Sequence, residues 1–224
     1  MDRFWTASAW AHRLAGDLLD LLFPPRPAEE SLRELLPPFC FRCSAPGFLL
    51  CPSCQEILPA FLWARAPYRY FGAVKQGILE LKYGKQIDRV PWLADLLEIG
   101  FRTYAASFRW DALVPVPLHP VRERSRGFNQ AAEIARELGK RQGIPVKKVL
   151  LRVRPTPPQA ALPRSERRSN LAHAFRPQRN FDLAGKNLLL IDDVITTGAT
   201  VRECAARLCE LGAALICVLA VARS

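Results

Sequence analysis

LLLIDDVITTGAT, residues 188–200, runs four apolar residues straight into two adjacent aspartates, then into three threonines and a glycine. A short apolar run bounded by turn-forming residues is the pattern of a strand buried on both faces, as in a parallel sheet. Read this way, the strand ends at Asp192 and a helix begins near Ala199. In an open parallel sheet, ligands sit beyond the carboxyl ends of the strands, where helix N-termini point their amides. Thr196, Thr197, Gly198 and Thr200 offer hydroxyls and unhindered amides that suit a phosphate. Two carboxylates would repel that phosphate unless they face something else, and a sugar diol or a magnesium ion is the natural partner. A ribose phosphate meets both requirements. The plainer alternative is a strand-to-helix turn capped by Asp and Thr. Neither the Gly-x-Gly-x-x-Gly of dinucleotide folds nor the Gly-Lys-Ser/Thr of a Walker loop is present.

Outward from this stretch, strands and helices alternate. ALVPVPL, VKKVLLRV, NLLLID and ALICVLAVA read as strands, and FNQAAEIARELGKRQG and residues 199–211 as helices. Short apolar runs separated by amphipathic helices predict an α/β fold with a parallel sheet and crossover helices. Upstream, APYRYFGAVKQGILELKYGKQ suggests an extended segment and then a helix. A second helix is expected over 88–106, with Val90, Leu93, Leu97, Phe101 and Tyr104 on one side. Residues 3–23 look helical and 24–38 form a Pro-rich, charged connector. The chain thus divides into an N-terminal helix and connector (1–38), a cysteine module (39–59) and an α/β domain (60–224).

The chain has 224 residues, half of them hydrophobic, enough for one substantial core and a small appendage. No run approaches the ~18 apolar residues of a membrane span, and the N-terminus lacks the pattern of a secretory signal, so a cytoplasmic location is expected. Charge is unevenly spread. Residues 119–180 carry fifteen Arg or Lys against four Glu, a net of +11, and the rest of the chain is neutral. Such concentration favours a polyanion or a multiply phosphorylated ligand over a merely solvated face.

Of seven cysteines, four form two pairs, Cys40-Phe-Arg-Cys43 and Cys51-Pro-Ser-Cys54. Each Cys-x-x-Cys knuckle aims two sulfurs at one ion, and the short interval lets the knuckles meet around a tetrahedral structural zinc. Cys204 shares an apolar helical stripe with Val201, Leu208 and Leu211, and Cys217 lies within a strand; both read as small core residues, and Cys209 has no assigned role.

LLLIDDVITTGAT resembles the phosphoribosyl diphosphate (PRPP) motif of type I phosphoribosyltransferases. Together with LVPVPLHPVRERSRGFNQA, RPTPPQAALPRSERRSNLAHAF and the paired Cys-x-x-Cys, it resembles the ComF family over roughly residues 39–224. The resemblance implies a type I phosphoribosyltransferase-like domain behind a small N-terminal zinc module. It implies that Asp192 and Asp193 bind the ribose hydroxyls at the reacting centre, and that Thr196, Thr197, Gly198, Ala199 and Thr200 hold the 5-phosphate. The loop with Arg122, Arg124, Arg126 and Gly127 would bind diphosphate. Gln159, Arg164, Arg167, Arg168 and Asn170 would belong to a mobile loop closing over the centre. Magnesium would accompany PRPP, and zinc would sit on Cys40, Cys43, Cys51 and Cys54. The implied role is the handling of incoming single-stranded DNA during natural transformation, with other competence or recombination proteins as partners. The alternative is transfer of a phosphoribosyl group to an acceptor. Asn129 and Gln130 either belong to this site or merely start a helix.

Overall fold

The computed structural model describes residues 61–154, 174–178 and 181–224. The N-terminal helix and connector, the four paired cysteines and the expected mobile-loop residues Gln159, Arg164, Arg167, Arg168 and Asn170 lie outside the described residues.

The chain enters through two short strands, β1 (Ala64–Arg65) and β2 (Tyr68–Arg69), and two helices, α1 (Gly72–Tyr83) and α2 (Arg89–Tyr104). Then come β3 (Ala112–Pro115), a short helix α3 (Pro120–Arg126), α4 (Gln130–Gln142), and two strands β4 (Leu150–Arg152) and β5 (Phe175–Pro177). The last elements are β6 (Asn187–Ile195), α5 (Ala199–Glu210) and β7 (Leu215–Arg223). β1 and β2 both pair with β7, which pairs with β6, which pairs with β3, and every one of these pairings is parallel. The expected α/β architecture with a parallel sheet is the one observed.

Alternation along the strands distributes the core between two layers of helices. Leu188 and Leu190 of β6, with Ile216 and Val218 of β7, pack against Val201, Cys204, Ala205 and Leu208 of α5. Leu189 and Ile191, with Cys217, Leu219 and Val221, face the opposite layer of α1, α2 and α4. The stripes that cover that face are Val74, Ile78 and Leu81 in α1, Leu93, Leu97 and Phe101 in α2, and Ile134 and Leu138 in α4. Gly77 lets α1 and α2 approach closely, since a Cβ there would run into the Trp92 ring. Cys204 and Cys217 are buried core residues, as expected, and Cys209 is exposed.

Three local expectations change. First, VKKVLLRV does not add a strand to the parallel sheet. Val146, just before it, makes an isolated parallel bridge to Leu113, and the chain then leaves to pair β4 antiparallel with β5. An apolar run specifies burial but not a pairing partner. Second, the segment after LVPVP is helical rather than a loop. Pro120 starts α3, His119 accepts the Val121 amide through Nδ1 at 3.3 Å, and Gly127 closes it with φ 93°. Third, β6 does not end at Asp192 but continues to Ile195, because β7 still pairs with it there (Asp192 with Ala220, Ile195 with Arg223). β3 stops earlier. Its last rung sets Pro115 against Ile191, the Val116 amide donates to the Ile191 carbonyl at 2.9 Å, and Pro117 has no N–H to extend the ladder. One side of β6 is therefore uncovered where its two aspartates begin.

Candidate functional site

A cavity of about 290 Å³ opens at that uncovered edge. Asp192 and Asp193 lie at its floor, and both are buried. As consecutive residues of a strand they serve opposite layers. Asp193 faces the α1–α4 side, where Lys82 at the end of α1 forms an ion pair with Oδ2 and Gln130 Nε2 donates to Oδ1 at 3.0 Å. Asp192 belongs to the α5 side, and its Oδ1 accepts the Asp193 amide at 2.9 Å.

The two carboxyls differ electrostatically. Burial alone would raise Asp193, but the Lys82 ammonium and the Gln130 amide outweigh it and hold the carboxyl below the usual carboxylate range. Lys82 responds in kind: burial would lower it, and Asp193 holds it above its ordinary value. Asp192 is pushed well up, by burial first and then by the negative charge of Asp193.

Cationic groups also line the cavity. Arg122 and Arg126 come from α3, and Arg152 comes from the end of β4, with its guanidinium 5.5 Å from the centre of the Phe175 ring. Burial pushes Arg126 and Arg152 down, and the nearby charge of Arg122 adds to both shifts. Arg126 Nη1 also donates to Gln130 Oε1, so a continuous chain of contacts joins the arginine wall to Asp193. At the far end, Thr196 and Thr200 line the cavity on either side of the β6–α5 turn. Gly198 makes that turn with φ 76°, a left-handed conformation that favours glycine, and as the N-cap of α5 it has no side chain to cap it. The Thr197 hydroxyl accepts the Ala199 amide at 3.4 Å.

The structure thus brings together Asp192, Asp193, Thr196, Thr200, Arg122 and Arg126 of the residues read from sequence. Thr197, Gly198 and Ala199 shape the turn without lining the cavity. Arg124 is exposed and Gly127 terminates α3, and neither lines it. Asn129 does start a helix: its side chain caps α4 by accepting the Ala131 amide and also donates to the Val116 carbonyl, each at 3.0 Å. Gln130 does more than start one, since it holds Asp193. Lys82, Arg152, Tyr70 and Tyr83 are site residues that sequence reading missed. For two positions a signal existed. Lys82 continues the Val74–Ile78 stripe of α1, and Gln130 heads the Ile134–Leu138 stripe of α4. A polar residue on a core stripe needs a buried partner, and here both find the same one.

No protein-family model matches the chain. Among curated proteins, the DNA utilization protein YhgH of Salmonella typhi is 36% identical over 192 residues, covering 83% of this chain and 84% of that protein. Competence protein F of Haemophilus influenzae is 35% identical over 144 residues, 62% of each chain. Competence protein ComFC of Bacillus subtilis is 38% identical over 102 residues, 46% of this chain and 40% of that one. The chain therefore spans less than two thirds of these two competence proteins. Among solved structures, an allosteric regulatory enzyme of purine biosynthesis shares 20% identity at a TM-score of 0.43, over 62% of this chain and 29% of that one. That likeness is too slight to bear on the assignment. Matched at 36% identity across more than four fifths of both sequences, the chain belongs to the ComF family of competence and DNA utilization proteins.

Proposed function

We propose that the cavity binds PRPP, in a protein that handles incoming single-stranded DNA during natural transformation. The observation that carries the ligand is the composition of the cavity: two carboxylates, two threonines beside a helix start, and three arginines. The threonine turn and the start of α5 suit the 5-phosphate, the aspartates suit the ribose hydroxyls, and the arginines suit the diphosphate. The raised Asp192 carboxyl could donate as well as accept towards a hydroxyl, whereas Asp193 is already held by Lys82 and Gln130. Magnesium, if it accompanies PRPP, would be held by Asp192 and would offset the negative charge of the diphosphate. The DNA half of the reading is supported by the names of the relatives, competence and DNA utilization proteins, and by the +11 carried on residues 119–180. A cytoplasmic site of action and other competence or recombination proteins as partners complete it.

A second reading, a phosphoribosyltransferase, is favoured by the arginine wall. Cleaving the bond from C1 of the ribose to diphosphate leaves cationic character on the sugar and negative charge on the leaving group, and an acceptor nucleophile bonds to C1 in its place. Arg122, Arg126 and Arg152 are grouped where such a leaving charge could be stabilised.

Calorimetric titration with PRPP and magnesium tests the ligand. We expect binding by the native chain and its loss in the Asp192→Asn, Asp193→Asn double variant with unchanged circular dichroism. Equal affinity in that variant removes the assignment. For the cysteine module the four-thiolate donor set fits zinc. One zinc per chain is expected by metal analysis, falling on Cys40→Ser.

A further inference from the structure

A second cavity of about 380 Å³ is lined by α3, the end of α1 and the loop after it. Lys82, Tyr83, Arg122 and Arg126 line both cavities, so the two share a wall. Lys85 and Ser125 belong to the second alone. Its chemistry differs from the first. Four cationic side chains line it, Lys82 among them already paired with Asp193, and no acidic one does, so its chemistry suits an anion but lacks the carboxylates that would suit a sugar diol with magnesium. It also presents an aromatic platform. Tyr83 is 75% exposed, an unusual place for a large ring, and the Arg126 guanidinium lies 5.8 Å from the ring centre. Lys85 is the one described non-glycine residue with positive φ, 55°, so the loop holds a less favoured backbone conformation beside this cavity.

A flat ring braced by a guanidinium, with further cations beside it, recognises a flat base joined to a phosphate. Resting on the reading of the first cavity as a PRPP site, we infer that the second cavity is a nucleoside-phosphate subsite, with the base stacked on Tyr83 and the phosphate held by Lys85 and Arg122. The source of the nucleotide is either a free nucleotide or the end of a single strand. Because Arg122 and Arg126 serve both cavities, occupation of one alters the affinity of the other.

The test titrates the full chain with thymidine 5′-monophosphate and with a 5′-phosphorylated oligothymidine, by calorimetry and by anisotropy of a labelled strand. Both are expected to bind. Tyr83→Ala should weaken binding about tenfold and Tyr83→Phe should retain it, since the ring and not the hydroxyl stacks. Lys85→Gln should weaken nucleotide binding severalfold and leave PRPP affinity unchanged. The Asp192→Asn, Asp193→Asn variant should lose PRPP and keep the nucleotide. Binding of the oligonucleotide alone identifies a strand end as the source, and binding of the monophosphate alone identifies the free nucleotide. The inference is overturned if neither probe binds, or if binding ignores Tyr83→Ala and Lys85→Gln. It is also overturned if nucleotide binding disappears together with PRPP binding in the aspartate variant. If the native chain ignores PRPP yet binds nucleotide through Tyr83, the subsite stands and the reading of the first cavity falls.

Discussion

Asp192 and Asp193 are adjacent in the chain, yet the two faces of the sheet they serve treat them in opposite ways. On the α1–α4 face, a lysine and a glutamine meet Asp193 and keep it charged. On the α5 face, burial first and then the charge of its own neighbour push Asp192 towards the protonated form. The difference teaches that a doubled acid within a strand is not a symmetrical device. One carboxylate is committed to the protein's own framework, and the other is held nearer neutrality for whatever enters the cavity.

That contrast can be broken most sharply at Asp193. Asp193→Asn leaves the half-buried Lys82 ammonium without its counter-ion, and should lower the unfolding free energy by about 3 kcal/mol in urea titration. A loss well under 1 kcal/mol would mean that Lys82 escapes to solvent and that the two faces are alike. Gln130→Leu is next. It removes one donor from the Asp193 carboxylate and the acceptor of Arg126, and a cost of about 1–2 kcal/mol is expected in the same assay.

Asp192→Asn is the smallest, within about 1 kcal/mol at neutral pH, because an amide replaces a carboxyl already inclined to hold its proton. Its effect shows instead in the pH dependence. The folded chain holds the Asp192 proton above pH ~4, where the unfolded carboxyl has released it, so stability falls as pH climbs from there towards the raised folded value. Asp193 works with the opposite sign: its contribution is present above pH ~4 and is lost as pH falls through its depressed folded value. Asp192→Asn should remove only the first slope. The variant therefore gains on the native chain as pH rises from about 4, in urea midpoints measured across pH. Parallel curves would show that Asp192 titrates alike in the folded and unfolded chain.

The parallel sheet was legible because its central strands are continuous apolar runs, and the helices because Val90, Leu93, Leu97 and Phe101, for example, recur at helical spacing. VKKVLLRV misled because its apolar residues announce burial, while its partner β5 is a segment too short and polar to announce itself. The true end of β6 was hidden for a related reason. Two aspartates read as the end of a strand, yet β7 continues to pair with the backbone beside them, and backbone pairing does not depend on the side chains. Arg152 was indistinguishable from the other basic residues of its segment until β4 turned it into the cavity.

What the sequence by itself determined is local: strand and helix periods, the doubled acid followed by a threonine-glycine turn, the cysteine spacing and the concentration of positive charge. These follow from backbone geometry and composition within a few residues. Only the tertiary structure decided that Gln130, 63 positions away, and Lys82, further still, converge on Asp193 and leave Asp192 to the cavity. The order of strands β7–β6–β3 sets which helix ends gather at the edge of β6. That order is a property of long-range packing, and no local period encodes it.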